Sequence, residues 1–141
     1  MRRAVIDPGV LISALISPSG APAHLLRRWI DGEFQIVWSP ALLHEFSAVC
    51  ARDRVREWFS VTEAERIASV IRDCGEARDD VESGALTSPD PGDQYLVDLL
   101  EISGADFLVT GDAALLAPPL PSKRAVSPRR FNDILDELDA G

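Results

Sequence analysis

Four carboxylates stand at positions where an acid either caps a helix or takes part in chemistry. Asp7 closes the apolar run Ala4-Val5-Ile6, and Asp112 follows Phe107-Leu108-Val109 after Thr110-Gly111. Glu45 shares a helical stripe with Leu42, Phe46 and Val49, and Asp93 shares one with Leu96, Val97 and Leu100. A carboxylate on an apolar helix face is costly to bury, so it calls for a cation, a hydrogen-bond donor or a shifted pKa. For Asp7 and Asp112 taken singly, the alternative reading is a helix N-cap. Together the four would repel strongly unless a cation lay among them. An all-oxygen donor set points to a hard ion, Mg2+ or Mn2+. Such ions assist in-line displacement at phosphorus by acidifying water and neutralising phosphate charge.

The elements that must position these acids follow from the apolar pattern. Ala4-Val5-Ile6 is too short for a helix and reads as a buried strand. Pro8 then opens a helix through Leu15, which Ser17-Pro18-Ser19-Gly20 ends. A second helix starts at Pro22, with Leu25, Leu26, Trp29 and Ile30 on its apolar side, and stops at Asp31-Gly32. Residues 34–38 form a second strand. Ser39-Pro40 starts a helix to about Ala51, and Thr62-Glu63-Ala64-Glu65 marks the start of another that ends near Cys74-Gly75. A weak strand and a polar loop occupy residues 76–92, followed by a helix from about Asp93 to Ser103. Residues 107–109 are the third clear strand, and Thr110-Gly111-Asp112 turns into a short helix. Pro118, Pro119 and Pro121 stiffen a loop, and Ser127-Pro128 begins a last helix to about Leu138. Alternating strands and helices predict a parallel sheet covered on both faces. Ligands of such sheets bind beyond the carboxyl ends of the strands, where Asp7 and Asp112 fall.

A chain of 141 residues, 46% hydrophobic and 26% charged, suits one globular domain spanning 1–141. No apolar run reaches the length of a membrane span, and Asp7 interrupts the N-terminal apolar run too early for a signal peptide. These features imply a cytoplasmic protein that meets no membrane. Cys50 and Cys74 read as free thiols, since no CxxC or Cys/His cluster exists. The net charge of −9 argues against passive nucleic-acid binding, which needs a basic surface. It leaves room for an enzyme whose acids recruit cations that then meet phosphate.

The segments Val5-Ile6-Asp7-Pro8-Gly9-Val10-Leu11-Ile12-Ser13-Ala14-Leu15 and Ser39-Pro40-Ala41-Leu42-Leu43-His44-Glu45-Phe46 resemble PIN-domain proteins. So do Asp90-Pro91-Gly92-Asp93-Gln94-Tyr95-Leu96 and Gly104-Ala105-Asp106-Phe107-Leu108-Val109-Thr110-Gly111-Asp112. The likeness runs over about residues 4–116, and Ser127-Pro128 with Phe131 resembles the usual tail helix. The most similar subgroup comprises toxins of toxin–antitoxin systems (VapC-like ribonucleases). The resemblance implies a three-layer α/β/α sandwich with a central parallel sheet. It also implies a metal-dependent endoribonuclease acting on RNA, a homodimer and a partner antitoxin. It places the acidic ligands on Asp7, Glu45, Asp93 and Asp112 and a site hydroxyl on Thr110. Asp90 either shapes the loop before its helix or lines the site. The sequence departs from the family at two places: Gly9 stands where Asn is common, and Ala114 where a further acid is frequent.

Other residues carry plainer expectations. His24 and His44 read as surface or half-buried side chains, and Asp98 and Asp106 as solvated or loop-fixing acids. The arginines at 27, 28, 52, 54, 56, 129 and 130 read as solvated helix faces, some of them forming a rim for RNA. Trp29, Trp38 and Trp58 read as core, with Trp58-Phe59 beside the arginines as a subunit contact in the other reading. Against the nuclease stands a PIN-like protein that binds RNA or a protein partner without turnover, with Gly9 the mark of a decayed site. A small-molecule phosphatase with a strand-end aspartate nucleophile is disfavoured, because Gly9 occupies the position of its second acid and no Gly-rich phosphate loop exists.

Overall fold

The computed structural model describes residues 1–84, 86–116 and 124–140. The expected Pro-rich loop at 118–121 lies outside the described residues. Five parallel strands form one sheet in the order β3-β2-β1-β4-β5. They are β1 (Arg3–Ile6), β2 (Gln35–Trp38), β3 (Glu76–Ala77), β4 (Phe107–Val109) and β5 (Ala125–Val126). Seven α-helices accompany them among the described residues: α1 (Pro8–Ile16), α2 (Ala21–Ile30), α3 (Pro40–Cys50), α4 (Val61–Cys74), α5 (Gln94–Ser103), α6 (Ala113–Leu116) and α7 (Pro128–Ala140). This is the α/β sandwich on a parallel sheet that the alternation of elements predicts.

Consecutive residues of the central strands are buried whichever way they point: Ala4, Val5 and Ile6 in β1, Ile36 and Val37 in β2, Leu108 and Val109 in β4. Such runs mark strands covered on both faces. The core continues through Leu11, Leu25, Phe46, Ile71, Leu100 and Phe131. Phe131 of α7 sets its ring edge-on to Phe34 at 5.0 Å and tilted to Phe107 at 5.6 Å, which fastens the tail helix to the sheet.

Local chemistry explains where the helices begin. The Ser39 hydroxyl accepts from the Leu42 N–H. The capping box expected at Thr62–Glu65 lies two residues earlier, where Ser60 and Glu63 bond reciprocally and α4 starts at Val61. Pro8 and Pro40 occupy first helical turns, where no intrahelical N–H is lost. No single helix among the described residues is long and apolar enough to cross a membrane. Helices α1 and α2 reach that length and apolarity only as a pair bent by 102°, and they bury Leu11, Leu25 and Trp29 in the core.

Topology selects one end of the sheet. From β1 the chain moves outward through β2 to β3, then returns across the sheet to β4 on the other side of β1. The reversal point therefore lies between β1 and β4, and a crevice forms beyond their carboxyl ends. The pairing Ile6↔Val109 and the bond from the Asp7 N–H to the Val109 carbonyl (2.9 Å) bring the ends of these two strands level.

Candidate active site

Asp7 and Asp112 flank this crevice, and the buried Thr110 joins them. The Thr110 hydroxyl donates to Asp7 Oδ2 at 2.8 Å, and its oxygen accepts the Asp112 N–H at 3.0 Å. Asp7 Oδ1 accepts the Gly9 N–H at 2.9 Å, and Asp112 Oδ1 accepts the Ala114 N–H at 2.9 Å. Both acids thus cap local turns and also line the cleft beyond the strand ends.

Asp93 enters from the start of α5. It ends a 3₁₀ turn, Pro91–Asp93, and its side chain makes no cap bond. Instead it meets Asp112, and its carboxyl is pushed up to about 6. Burial is the largest cause, followed by the hydrogen bond with Asp112 and the negative charges of Asp7, Asp112 and Asp90. Asp90 is exposed; its Oδ1 accepts the Gly92 N–H at 2.8 Å, so it shapes the turn and adds charge nearby.

Glu45 is half-buried in the middle of α3, and its Oε2 accepts from the Tyr95 hydroxyl of α5. Burial above all, then the hydrogen bond to Glu45 and the charges of Glu45, Asp7 and Asp93, push the Tyr95 phenol up. It therefore stays an O–H donor. Tyr95 is a site residue that sequence reasoning missed. Its partner is 50 positions away, so only the packing of α5 against α3 reveals the pair.

Among the described residues no ion pair reaches Asp7, Glu45, Asp93 or Asp112. Nor does any group of three or more His, Cys, Asp or Glu side chains stand ready to hold a metal ion. The reason is local: Asp7 is engaged at both oxygens, Glu45 is tied to Tyr95, and Asp93 and Asp112 bond to each other. The donor chemistry nevertheless fits a hard divalent cation. All donors are oxygens, and burial together with the neighbouring carboxylates keeps a proton on Asp93 to about pH 6. An open cleft of about 360 Å³ leads to Asp7 and Asp112, walled by Gly9, Ser13, Gly111 and Pro128.

Several plainer expectations change. Arg28 is buried, not solvated. It holds Glu33 on one side and Asp136 on the other and donates to the Asn132 carbonyl at 3.1 Å, locking α2 to α7. Asp98 is also buried, accepting from Gln94 Nε2 at 3.0 Å and Ser83 Oγ at 3.3 Å. Arg28 reads as solvated in the sequence because Asn132 and Asp136 lie on a distant element, whereas Asp98, expected as a solvated or loop-fixing acid, ties Ser83 of the preceding loop to α5. Trp58 is 51% exposed and lies outside the core, whereas Trp29 is buried. His24 and His44 are exposed, and Asp106 accepts the Arg3 N–H at 2.9 Å, fixing the start of β1. Cys50 is buried and Cys74 exposed, and both are free thiols.

A parallel sheet with its reversal point beside a cluster of acids is the frame of a nuclease-type fold. Residues 3–114 match the PIN domain, and the chain belongs to that family. PIN domains are generally nucleases, and thus hydrolases. The match spans β1 through the start of α6 and includes all four acids. No curated protein matched the chain.

Proposed function

We propose that this PIN domain is a divalent-metal-dependent endoribonuclease, the toxin of a toxin–antitoxin pair, using Mg2+ or Mn2+. Asp7, Glu45, Asp93 and Asp112 would hold the ion, with Thr110 and Asp90 supporting them. The observation that supports this most is the state of Asp93: burial and three neighbouring carboxylates drive it to retain a proton to about pH 6, and among the described residues no ion pair relieves them. When bound, the cation would neutralise phosphate charge and acidify water.

The residues of the chain do the rest. Thr110 and the Gly9 N–H fix both oxygens of Asp7, so its orientation costs little on binding. Asp112 is held by its own turn, leaving Asp93 the more adjustable of the pair. Asp93, beside Asp112, is placed to orient a water. The cleft past Gly9 and Gly111 lacks bulky side chains at these positions, which suits entry of an RNA backbone. Trp58, exposed beside Arg52, Arg54 and Arg56, supports a homodimer contact on that side. An antitoxin partner is read from the likeness to toxins alone, and a cytoplasmic setting from the composition and apolar pattern of the sequence.

Purified protein incubated with a broad RNA set should cleave with Mn2+ or Mg2+ and not in EDTA. Asp7→Asn and Asp93→Asn should each abolish cleavage; a surviving rate would assign the activity elsewhere. The second reading, binding without turnover, draws on the exposed Gly9. A Cβ there would sit 3.5 Å from Asp7 Oδ1, an ordinary contact, so Asn fits. Inactive wild type made active by Gly9→Asn would establish that reading.

A further inference from the structure

Two acids of the cluster are steadied from within their own turns, and Glu45 is not one of them. Asp7 and Asp112 accept backbone N–H groups two residues ahead, and Asp93 meets Asp112. Glu45 projects from mid-helix on a longer side chain, where no backbone N–H is free to hold it. Among the described residues its carboxylate has one hydrogen-bond partner, the Tyr95 hydroxyl. The Tyr95 ring packs against the hydrophobic core, so the hydroxyl is delivered from a fixed platform. A flexible carboxylate on α3 is thereby pinned from α5, the helix that carries Asp93 at its start.

We infer that Tyr95 is a positioning residue for the metal site: its hydroxyl holds Glu45 by Oε2 and leaves Oε1 as the oxygen offered to the cation. This rests on the metal-site reading above and deepens it. Partners that orient metal ligands commonly contribute a factor of 10–100 in affinity. Phenylalanine would keep the ring in the core and remove only the donor, so the hydroxyl is separable from packing. Tyr95 is also the only tyrosine of the chain. A carbon-13 label at tyrosine Cζ therefore reports this phenol alone.

Two measurements on the full chain test the inference. The Cζ resonance of the metal-free protein should move on Glu45→Gln, which weakens the acceptor, and move less on Asp7→Asn, which alters only a more distant charge. Calorimetric titration with Mn2+ should show binding weakened about 10-fold by Tyr95→Phe at unchanged melting temperature. A Cζ resonance indifferent to Glu45→Gln, or a Tyr95→Phe affinity within about twofold of wild type, overturns the role of Tyr95. If wild type takes up no Mn2+, or Asp7→Asn binds it equally well, the metal-site reading itself falls and the inference with it. The Cζ comparison needs no metal, so it separates the two failures.

Discussion

Asp93 links stability to function at a single carboxyl group. Its pKa is pushed up from 3.8 to about 6 in the fold. Between these values the folded chain binds a proton that the unfolded chain does not, so folding is favoured as pH falls through this window. Above about pH 6 the folded state must carry the charge among Asp7, Asp112 and Asp90, and Asp93 then lowers stability. Asp93→Asn should therefore stabilise the metal-free protein at pH 7.5 by on the order of 1 kcal/mol after solvent screening, read as a higher melting temperature, and change it little at pH 4. Mn2+ should raise the melting temperature of wild type and not of the variant. Thermal scans at the two pH values check this; a variant less stable than wild type at pH 7.5 would refute it. Glu45 was legible in the sequence because it interrupts an apolar helix stripe, whereas Asp93, expected on such a stripe, stands at the N-cap position of α5, at the end of the preceding 3₁₀ turn. What was not legible is how they are held. Thr110 joining Asp7 to Asp112, and Tyr95 holding Glu45, are contacts over 103 and 50 residues, and no local pattern encodes them.

At the scale of elements, the join between α4 and β3 is the tightest passage in the backbone. Gly75 ends α4, its N–H bonded to the Ile71 carbonyl at 2.8 Å, and leads straight into the edge strand. A Cβ at this position would lie 2.6 Å from the Ile71 carbonyl oxygen, 2.7 Å from Trp38 Cδ1 and 3.2 Å from the Ile36 carbonyl oxygen. Two of these three atoms are backbone, so relief requires moving α4 or β2. Gly75→Ala should destabilise the protein by about 1–3 kcal/mol, read as a lower urea midpoint at unchanged slope. A loss under about 0.5 kcal/mol would show that the passage opens easily. The larger elements were readable from sequence for related reasons. Strands β1, β2 and β4 are apolar runs too short for helices, and Ser39-Pro40 and the acids after Ser60 mark helix starts. Strand β5 escaped notice: two residues carry no periodicity, and only the bonds from Leu108 to the Arg124 carbonyl and from Thr110 to the Val126 carbonyl make Ala125–Val126 a strand. The weak strand expected after Gly75 is real but only two residues long, as suits a sheet edge.

The whole molecule carries −9, with 23 acids against 14 basic side chains. Arg3 and Arg78 meet Glu76, Arg28 meets Glu33 and Asp136, Arg124 meets Glu101, and Arg130 meets Glu137. The excess of acids, with these arginines already paired, leaves little net positive potential to attract a polyanion. Long-range attraction of RNA by the protein alone is therefore weak. If the chain acts on RNA, most of the favourable electrostatics must arrive with the divalent cation, at the acids themselves. Two consequences distinguish this from a basic RNA-binding protein. In EDTA, affinity for a short single-stranded RNA should be low. The dependence of log K on log salt should be shallow, with a slope no steeper than about −2, corresponding to about three neutralised phosphates. Addition of Mg2+ should raise affinity for a non-cleavable RNA analogue at least about 10-fold, and Asp7→Asn should remove most of that gain. Fluorescence anisotropy with labelled RNA measures all three quantities. Tight, steeply salt-dependent binding in EDTA would mean that the arginines near Trp58 or at the start of α7 form a cationic surface strong enough to hold RNA without the acids.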